Sequence, residues 1–288
     1  IPTTGGPHTC YFAPGVYDES IKAQWPLTYA NQITWRSLDP ANPATIRGND
    51  ATYSHQAQGG NQKWVDLIFS NTLANSANLW RLGAAANSNL AWENCQFLAT
   101  GGTPTRNFWA SFTGTPTNWT FTNCVFTTSA GLGLTVESVI GGITGFTMTG
   151  CTLTGNGYNF QGVRSGTVSD CTFSGSAGVC MLAGLDADTG GQPTALTISN
   201  STVTTTGTHA ILIGNGANGV ILDNVRVLAA GDFGLVFKSS TGNEARNCRI
   251  QSETNAGAAA IRFKGAAATV DGCMVIGNGT KPCFMITK

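Results

Sequence analysis

Nine cysteines and three histidines are the residues of this sequence whose types are best suited to covalent or metal chemistry. Six of the cysteines occur in one recurring phrase, which reads "WENCQF" at 92–97 and "FTNCVF" at 121–126. No C-x-x-C pair is present, and an odd number of cysteines argues against a framework of disulfides. Because the histidines are few and far apart, the spacing predicts no metal site. We therefore predict that the recurring cysteines are packing residues.

The phrase around the cysteine is the clearest part of an internal repeat with eight copies. Each copy has an apolar or small residue three positions before the cysteine position and an apolar residue two positions after it. The copies follow one another at intervals of 20 to 30 residues, which is typical of a solenoid whose loops vary in length. The cysteine position is occupied by Cys95, Cys124, Cys151, Cys171, Ser201, Val225, Cys248 and Cys273.

The residue before the cysteine position is Asn, Asp or Gly in every copy. These residue types tolerate the left-handed backbone conformation, with positive φ, at the lowest cost. A single left-handed residue between two short strands turns the chain sharply without a long loop, so we predict one such corner in each coil. The predicted corner residues are Asn94, Asn123, Gly150, Asp170, Asn200, Asn224, Asn247 and Gly272.

A further short segment precedes most copies and supplies a third strand to each coil. These segments are "LWRL" (79–82), "LTVES" (134–138), "NFQGV" (159–163), "GVCML" (178–182), "AILIG" (210–214), "GLVFK" (234–238) and "AIRFK" (260–264). Three short parallel strands per coil predict an all-β fold, a right-handed parallel β-helix of about nine or ten coils. Cysteines at one inward position would stack about 4.8 Å apart and point the same way, which is poor geometry for disulfides.

In this repeat architecture the chain resembles the pectate-lyase-like superfamily of β-helices, which includes phage tailspikes. The resemblance covers roughly residues 60–288. Residues 8–50, with "HTCYFAPGVYDESI" followed by "ITWRSLDPANPATIRGND", are similar to the opening coil of β-helix carbohydrate enzymes. We therefore expect an N-terminal opening coil and cap at 1–60 and one continuous β-helix at 61–288.

The resemblance implies that substrate lies along the sheet made by the first strand of each coil. The outward positions of that strand give a predicted row of Arg81, Ser111, Glu137, Gln161, Cys180, Leu212, Val236 and Arg262. Arg164 ends its strand, and the insertion "LDADTGGQP" at 185–193 adds two aspartates beside the row. The predicted catalytic residues are Glu137, Arg164, Asp186 and Asp188. Carboxylates on neighbouring coils would act as acid and base on a glycosidic bond.

A basic group on later coils is expected to help bind the substrate. Lys238 and Lys264 take equivalent places in successive coils, beside Arg262. Lyases of this superfamily that act on uronic acids use Lys or Arg to abstract the C5 proton, with a cation or Arg to neutralise the carboxylate. We expect no cofactor, except that a lyase would admit a divalent cation such as calcium. The expected substrate-binding residues are Arg81, Gln161, Lys238, Arg262 and Lys264.

Composition narrows the choice of partner. Fifteen Lys and Arg residues balance fifteen Asp and Glu residues. A neutral surface disfavours nucleic acid, whose phosphates require clustered positive charge. Apolar runs such as "AILI" are too short to span a bilayer. The resemblance to β-helix carbohydrate enzymes implies instead that the partner is a polysaccharide.

Three functions stay open on the sequence. The first, which we favour, is a phage tailspike or tail-fibre domain in the virion, a homotrimer that recognises a bacterial surface polysaccharide and degrades it as a lyase or hydrolase. The second is a free secreted polysaccharide lyase or glycoside hydrolase, and the third is a structural or adhesive β-helix without catalysis.

Two features favour the first function. A ladder of free thiols fits a protein made in a reducing cytoplasm, which suits a phage particle. The sequence ends at "KPCFMITK", inside what should be another first strand, so we expect a partner chain or a further domain to cover that end. The apolar outward residues Leu212 and Val236 are where copies would pack.

Overall fold

Three parallel β-sheets run along the chain and enclose one main core. In this computed structural model the described residues are 7–19, 31–48, 53–57, 59–71, 78–82, 88–99, 106–128, 131–176, 179–183, 194–229, 231–252, 259–277 and 282–287. Within these ranges all regular secondary structure is β-strand, and no helix that could cross a membrane occurs.

Each coil adds one strand to each sheet, in the order sheet A, sheet B and sheet C along the chain. Sheet A contains β1 (His8–Phe12), β3 (Ile33–Ser37), β6 (Gln62–Val65), β9 (Leu90–Glu93), β12 (Trp119–Thr122), β15 (Phe146–Thr149), β18 (Ser165–Ser169), β21 (Ala195–Ser199), β24 (Ile221–Asp223), β27 (Asn243–Arg246) and β30 (Ala268–Asp271). Sheet B contains β2 (Val16–Tyr17), β4 (Thr45–Gly48), β7 (Ile68–Asn71), β10 (Gln96–Ala99), β13 (Val125–Thr128), β16 (Thr152–Gly155), β19 (Thr172–Gly175), β22 (Thr202–Thr205), β25 (Arg226–Ala229), β28 (Arg249–Ser252) and β31 (Met274–Ile276). Sheet C contains β5 (Tyr53–Ala57), β8 (Asn78–Leu82), β11 (Arg106–Gly114), β14 (Leu132–Gly141), β17 (Tyr158–Asn159), β20 (Val179–Ala183), β23 (His209–Ile213), β26 (Phe233–Lys238), β29 (Ile261–Lys264) and β32 (Phe284–Thr287).

The predicted solenoid is confirmed. Over the described ranges, sheets A and B have 11 strands each and sheet C has 10, close to the expected nine or ten coils. Six of the seven predicted third strands coincide with strands of sheet C, whereas "NFQGV" overlaps β17 only at Asn159. The prediction named no third strand for the coil that contains β11.

Side chains that point inward stack in register from coil to coil. In sheet A the Trp64, Trp92 and Phe121 rings lie nearly parallel, with centroids 5.0 Å and 4.5 Å apart. In sheet B the rings of Phe97 and Phe126 are stacked at 4.6 Å. Because strands alternate their side chains between two faces, these aromatic ladders fill the interior while every second residue faces outward.

All eight predicted corner residues have positive φ, between 48° and 65°. Each follows a strand of sheet A and precedes one of sheet B. Asparagine corners also bond to one another across coils: Asn224 Nδ2 donates to Asn200 Oδ1 at 2.9 Å. A second run of left-handed residues, which the sequence analysis did not identify, precedes sheet A at Asn61, Asn89 and Asn118.

The recurring thiols lie where the repeat placed them, immediately after the corners. Cys95, Cys124, Cys151, Cys171 and Cys248 are buried, and Cys273 on the last coil is half-buried. None of these six forms a disulfide.

The thiol ladder is held by backbone hydrogen bonds between coils. The amide of Cys124 donates to Cys151 Sγ at 3.3 Å, and the amide of Cys151 donates to Cys171 Sγ at 3.4 Å. Ser201 Oγ accepts from the amide of Cys171 at 3.1 Å. Serine therefore substitutes for cysteine at this position because it can accept the same bond.

Candidate functional site

The outer face of sheet C carries the residues selected from the sequence, but the pairing corrects their register. Strand pairing aligns, in order, Arg81, Trp109, Thr135, Asn159, Leu182, Leu212, Val236, Arg262 and Met285. The predicted row was wrong in its middle: Ser111 pairs with Glu137, two residues beyond the Trp109–Thr135 pair. The loops that lead into the strands of sheet C differ in length. The sequence alone therefore does not reveal which residues of neighbouring strands pair with each other.

Four side chains of β8, β11 and β14 come together on this face. The Cζ atom of Arg81 lies 4.9 Å from the ring centroid of Trp109, and that of Arg106 lies 4.7 Å from it. Trp109 Nε1 donates a hydrogen bond to Glu137 Oε2 at 3.1 Å, and Arg106 Nη2 lies 3.5 Å from Glu137 Oε1. We call Arg81, Arg106, Trp109 and Glu137 the sheet C patch.

The alternation of β11 explains how the patch is presented. Phe108 and Ala110 point into the core and are buried, so Trp109 between them faces outward and is half-buried. Guanidinium groups lie favourably against an indole because the ring face is electron-rich. Arg106 and Trp109 were missed from the sequence. A signal that could have found Trp109 is the run "NFWASF", in which the tryptophan alternates with apolar residues.

Uncharged polar residues extend the face toward the next coil. Asn159 Oδ1 accepts from the Gln161 amide at 2.8 Å, and its Nδ2 donates to Gln161 Oε1 at 2.9 Å. The amide of Gly162 donates to the Val136 carbonyl at 2.7 Å, which places Gln161 on the coil adjacent to Glu137.

Of the other predicted catalytic residues, only Arg164 is described, and it lies outside the sheet C patch. Arg164 Nε donates to the carbonyl of Gly141 at 2.6 Å, at the end of β14. Its side chain also packs against Gly142. Asp186 and Asp188 lie outside the described residues.

The predicted basic group lies on the same sheet, several coils away. Lys238 and Lys264 align on β26 and β29; Lys264 is exposed and Lys238 half-buried. The Cζ atom of Arg262 lies 5.2 Å from the ring centroid of Phe233, and its Nε donates to Thr287 Oγ1 at 3.4 Å. These residues form a second region of the face rather than a continuation of the sheet C patch.

An apolar cluster separates the two regions. Leu212 and Val236 are each 3% exposed and pack with Phe233 and Ala259, with Met285 at the margin. Because this burial occurs within a single chain, these residues offer no exposed apolar surface to a second copy. The expectation that copies pack through Leu212 and Val236 is therefore wrong.

The ladder thiols are unsuited to nucleophilic chemistry. Burial raises the pKa of the Cys95 thiol to about 12, and burial likewise raises the pKa of Cys248 to about 12. The reactive form of cysteine is the thiolate, so these groups stay protonated and inert. Each thiol also contacts a backbone carbonyl, as Cys124 Sγ does with Trp92 O at 3.4 Å.

His55 is a buried core residue. His55 is buried between the rings of Phe69 and Trp80, and its Nε2 lies 3.1 Å from the Ser70 carbonyl. Burial lowers the pKa of His55 to about 4, so the ring is a neutral core residue. Among the residues that the structure describes, no three His, Cys, Asp or Glu side chains are grouped as a metal would need.

Comparison with known proteins assigns the architecture. A family model described as "Right handed beta helix region" matches residues 183–287. The catalytic domain of Agl-KA superposes with a TM-score of 0.56 at 14% identity, covering 96% of this chain and 62% of that one. The Dettilon tailspike protein superposes with a TM-score of 0.52 at 10% identity, covering 91% and 61%.

A mannuronic acid specific polysaccharide family 6 lyase from human gut microbiota also superposes with a TM-score of 0.52, at 14% identity, covering 91% of this chain and 76% of that one. A search of curated proteins finds no sequence match. At these identities the likeness establishes the fold. The chain has the fold of a right-handed parallel β-helix.

Proposed function

We propose that this chain is a polysaccharide-binding and polysaccharide-degrading β-helix domain of a phage tailspike or tail fibre. Its ligand is a bacterial surface polysaccharide, which lies along the outer face of sheet C. The observation that carries the proposal is the sheet C patch, where Trp109 is flanked by Arg81 and Arg106 and hydrogen-bonded to Glu137. Guanidinium N–H donors held over an indole, with a carboxylate beside them, are suited to the hydroxyl and acidic groups of a sugar.

The structural likenesses support a polysaccharide ligand but do not distinguish a phage tailspike from a free secreted enzyme. One of the similar structures is a tailspike protein and another is a polysaccharide lyase. A free secreted lyase or hydrolase is the alternative that the second likeness favours. In the tailspike setting three copies would bundle about a common axis, and the protein would belong to the virion.

Catalysis in this proposal requires a second acidic or basic group beside Glu137. Hydrolysis with two carboxylates needs them roughly 5–10 Å apart across the scissile bond. Asp186 and Asp188, on the insertion that follows β20, are the proposed partners. A binding module without catalysis is the second candidate, favoured by the engagement of Glu137 with Trp109 and Arg106.

A panel of purified bacterial capsular and O-antigen polysaccharides tests the proposal. Binding is measured together with the release of reducing ends and with ultraviolet absorbance of unsaturated products. Hydrolysis raises reducing ends alone, lyase activity raises both signals, and binding without either signal identifies a non-catalytic module. Failure to bind any polysaccharide in a panel drawn from many hosts would contradict the proposal.

A further inference from the structure

Two uncharged polar side chains, those of Asn159 and Gln161, bond to each other on the outside of the solenoid. The residues that alternate with them, Tyr158 and Phe160, point into the core and are buried. The Oη atom of Tyr158 lies 2.6 Å from the Ser174 carbonyl oxygen, which anchors the segment to the next coil. Asn159 and Gln161 are half-buried. The buried aromatic residues therefore present this polar pair on a fixed backbone.

The hydrogen bonds of this pair have only one possible direction. The backbone amide of Gln161 can only donate, so the Asn159 atom that lies 2.8 Å from it is the acceptor Oδ1. The other end of the Asn159 carboxamide is then Nδ2, which can only donate, and its partner at 2.9 Å is Gln161 Oε1. The end of the Gln161 side chain that points away from Asn159 is therefore Nε2.

Gln161 Nε2 is a hydrogen-bond donor with no acceptor among the residues that the structure describes. Because Gln161 is only half-buried, this donor is open to a ligand. A sugar hydroxyl can meet a donor or an acceptor equally, since it is both. A carbonyl oxygen can only accept, so its binding depends on the carboxamide being turned this way. The acetamido carbonyl of an N-acetylated sugar is therefore the uncharged group that this donor selects.

Asn159 also holds the donor in place before a ligand arrives. A glutamine side chain loses much rotamer freedom when it is fixed, and a site that is already ordered does not lose this freedom again on binding. The single carboxamide of Asn159 bonds both the main chain and the side chain of Gln161. Asn159 therefore acts through Gln161 rather than by touching the ligand.

We propose that Gln161 is the specificity-determining residue of a donor subsite, which takes the carbonyl oxygen of an N-acetylated sugar. Asn159 is its positioning residue, which fixes the direction of the Gln161 carboxamide. This inference rests on the proposed function in one respect, namely that the sugar belongs to a polysaccharide. The binding of a single N-acetylated sugar at Gln161 is independent of that function.

N-acetylglucosamine and glucose are the matched probes, because they differ only in the acetamido group that replaces one hydroxyl. Side-chain amide signals are followed by ¹H–¹⁵N spectroscopy, and the Gln161 signals are those missing from Gln161→Glu. We expect a saturable shift of the Gln161 signals with N-acetylglucosamine, and binding of glucose weaker by about ten-fold, as expected for one hydrogen bond. No saturable shift in the wild type, or equal affinity for the two sugars, would overturn the subsite.

Gln161→Glu removes the donor and leaves a side chain of the same shape. Its affinity is followed through the Asn159 side-chain signals. N-acetylglucosamine should bind at least about ten-fold more weakly than to the wild type, because the outward oxygen of the glutamate can only accept. Wild-type affinity for N-acetylglucosamine in this variant would contradict the proposal.

Asn159→Asp tests the positioning role, because it reverses the direction of the Gln161 carboxamide. A carboxylate can only accept, so one oxygen takes the Gln161 backbone amide and the other takes Gln161 Nε2. Oε1 of Gln161 then faces outward, where a sugar carbonyl finds no donor. We expect one Gln161 Nε2 proton signal to move downfield without any sugar, and N-acetylglucosamine to bind at least about ten-fold more weakly. Wild-type affinity in Asn159→Asp would contradict the positioning role.

The control variant is Asn42→Asp, which makes the same change of side chain and charge on an exposed residue between β3 and β4. It should bind both sugars as the wild type does. An equal loss of affinity in Asn42→Asp and Asn159→Asp would overturn the proposal, because it would show a general effect of negative charge.

The outcome is separable from that of the proposed function. A polysaccharide that binds to a protein whose Gln161 signals ignore N-acetylglucosamine would leave the proposed function standing and remove the donor subsite. A Gln161 response to N-acetylglucosamine without binding of any polysaccharide would do the reverse. Unfolding temperatures of all variants establish that losses do not come from misfolding. If Asn159→Asp is unstable, Asn159→Ala takes its place, with a loss of roughly three- to ten-fold because Gln161 is no longer held.

Discussion

At the scale of single residues, the corner positions are the strictest requirement of this fold. Asn123 has a φ of 52°, and its Nδ2 donates to Asn94 Oδ1 at 3.4 Å. At the next corner a Cβ on Gly150 would lie 2.4 Å from Asn123 Oδ1. Backbone conformation and stacking between coils thus limit these positions to a few residue types.

The corner conformation predicts different losses of folding stability for two substitutions of Asn123. Asn123→Gly should cost little, because glycine adopts positive φ freely. Asn123→Val should cost at least about 1–2 kcal/mol more, because a β-branched residue is strained in this region. Urea unfolding of both variants gives the difference, and equal stabilities would refute the assigned role of the corner.

The burial of His55 predicts that the folded protein loses stability in acid. Its folded pKa of about 4 lies below the ordinary value of 6.5, so the unfolded state binds the proton first as the pH falls. Stability from this group is complete above pH ~6.5 and declines toward pH ~4, by roughly 3 kcal/mol in total. His55→Gln should flatten the decline in the unfolding free energy over that range.

The control for His55 is His8→Gln, which alters a half-buried histidine on the first strand. Its unfolding free energy is measured over the same pH range for comparison. An identical slope in wild type and His55→Gln would show that other groups govern the acid response.

Residue types alone predicted the corners but not the sheet C patch. Asn, Asp and Gly at the corner positions predict positive φ because few other residue types tolerate that conformation. The residue type of Trp109 gives no such indication, since a tryptophan also fills the core at Trp92; only its position in the alternation of β11 turns it outward. Arg81 and Glu137 were named in advance, yet Trp109, the residue that joins them, was not.

At the scale of elements, short strands are stabilised by ladders of similar side chains at the same position of successive coils. Phe97 and Phe126 stack across sheet B, and Trp92 and Phe121 stack across sheet A. The repeat predicted these ladders because three positions were fixed relative to each corner. Register in sheet C could not be predicted in the same way, because loops of variable length enter and leave that sheet.

The thiol ladder predicts selective protection from alkylation. Cys95, Cys124, Cys151, Cys171 and Cys248 should not react in the native protein, because they are buried. For Cys95 and Cys248, burial also raises the thiol pKa to about 12. All should react after denaturation. Mass spectrometry after labelling in the two states counts them. The measurement would disprove the ladder if two or more of these cysteines were found in disulfides, or if they reacted at the rate of denatured thiols.

At the scale of the whole molecule, the last strand exposes a position that interior coils cover. Ile286 is 83% exposed on β32, whereas Phe237, at the aligned position two strands earlier, is buried. On the interior coils, by contrast, Leu212 and Val236 are already covered within the chain. Association of copies, if it follows the tailspike proposal, therefore uses surfaces other than the apolar part of sheet C.

The tailspike proposal predicts a trimer. Light scattering of the full gene product should give three times the mass of one chain, with 29.9 kDa contributed per copy by these 288 residues. The variant Leu212→Ser should leave the mass of the assembly unchanged, because Leu212 packs within its own chain. A stable monomer of the full gene product would favour the free secreted enzyme instead.

The central claim is that polysaccharide binds on the outer face of sheet C, against Trp109. The most direct test is the affinity of Trp109→Ala for the polysaccharide found in the panel, compared with Tyr11→Ala, which removes an exposed ring from β1. We predict that Trp109→Ala loses at least about ten-fold in affinity, the equivalent of ~1.4 kcal/mol, at unchanged unfolding temperature. Tyr11→Ala should bind as the wild type does. Wild-type affinity in Trp109→Ala would contradict the account.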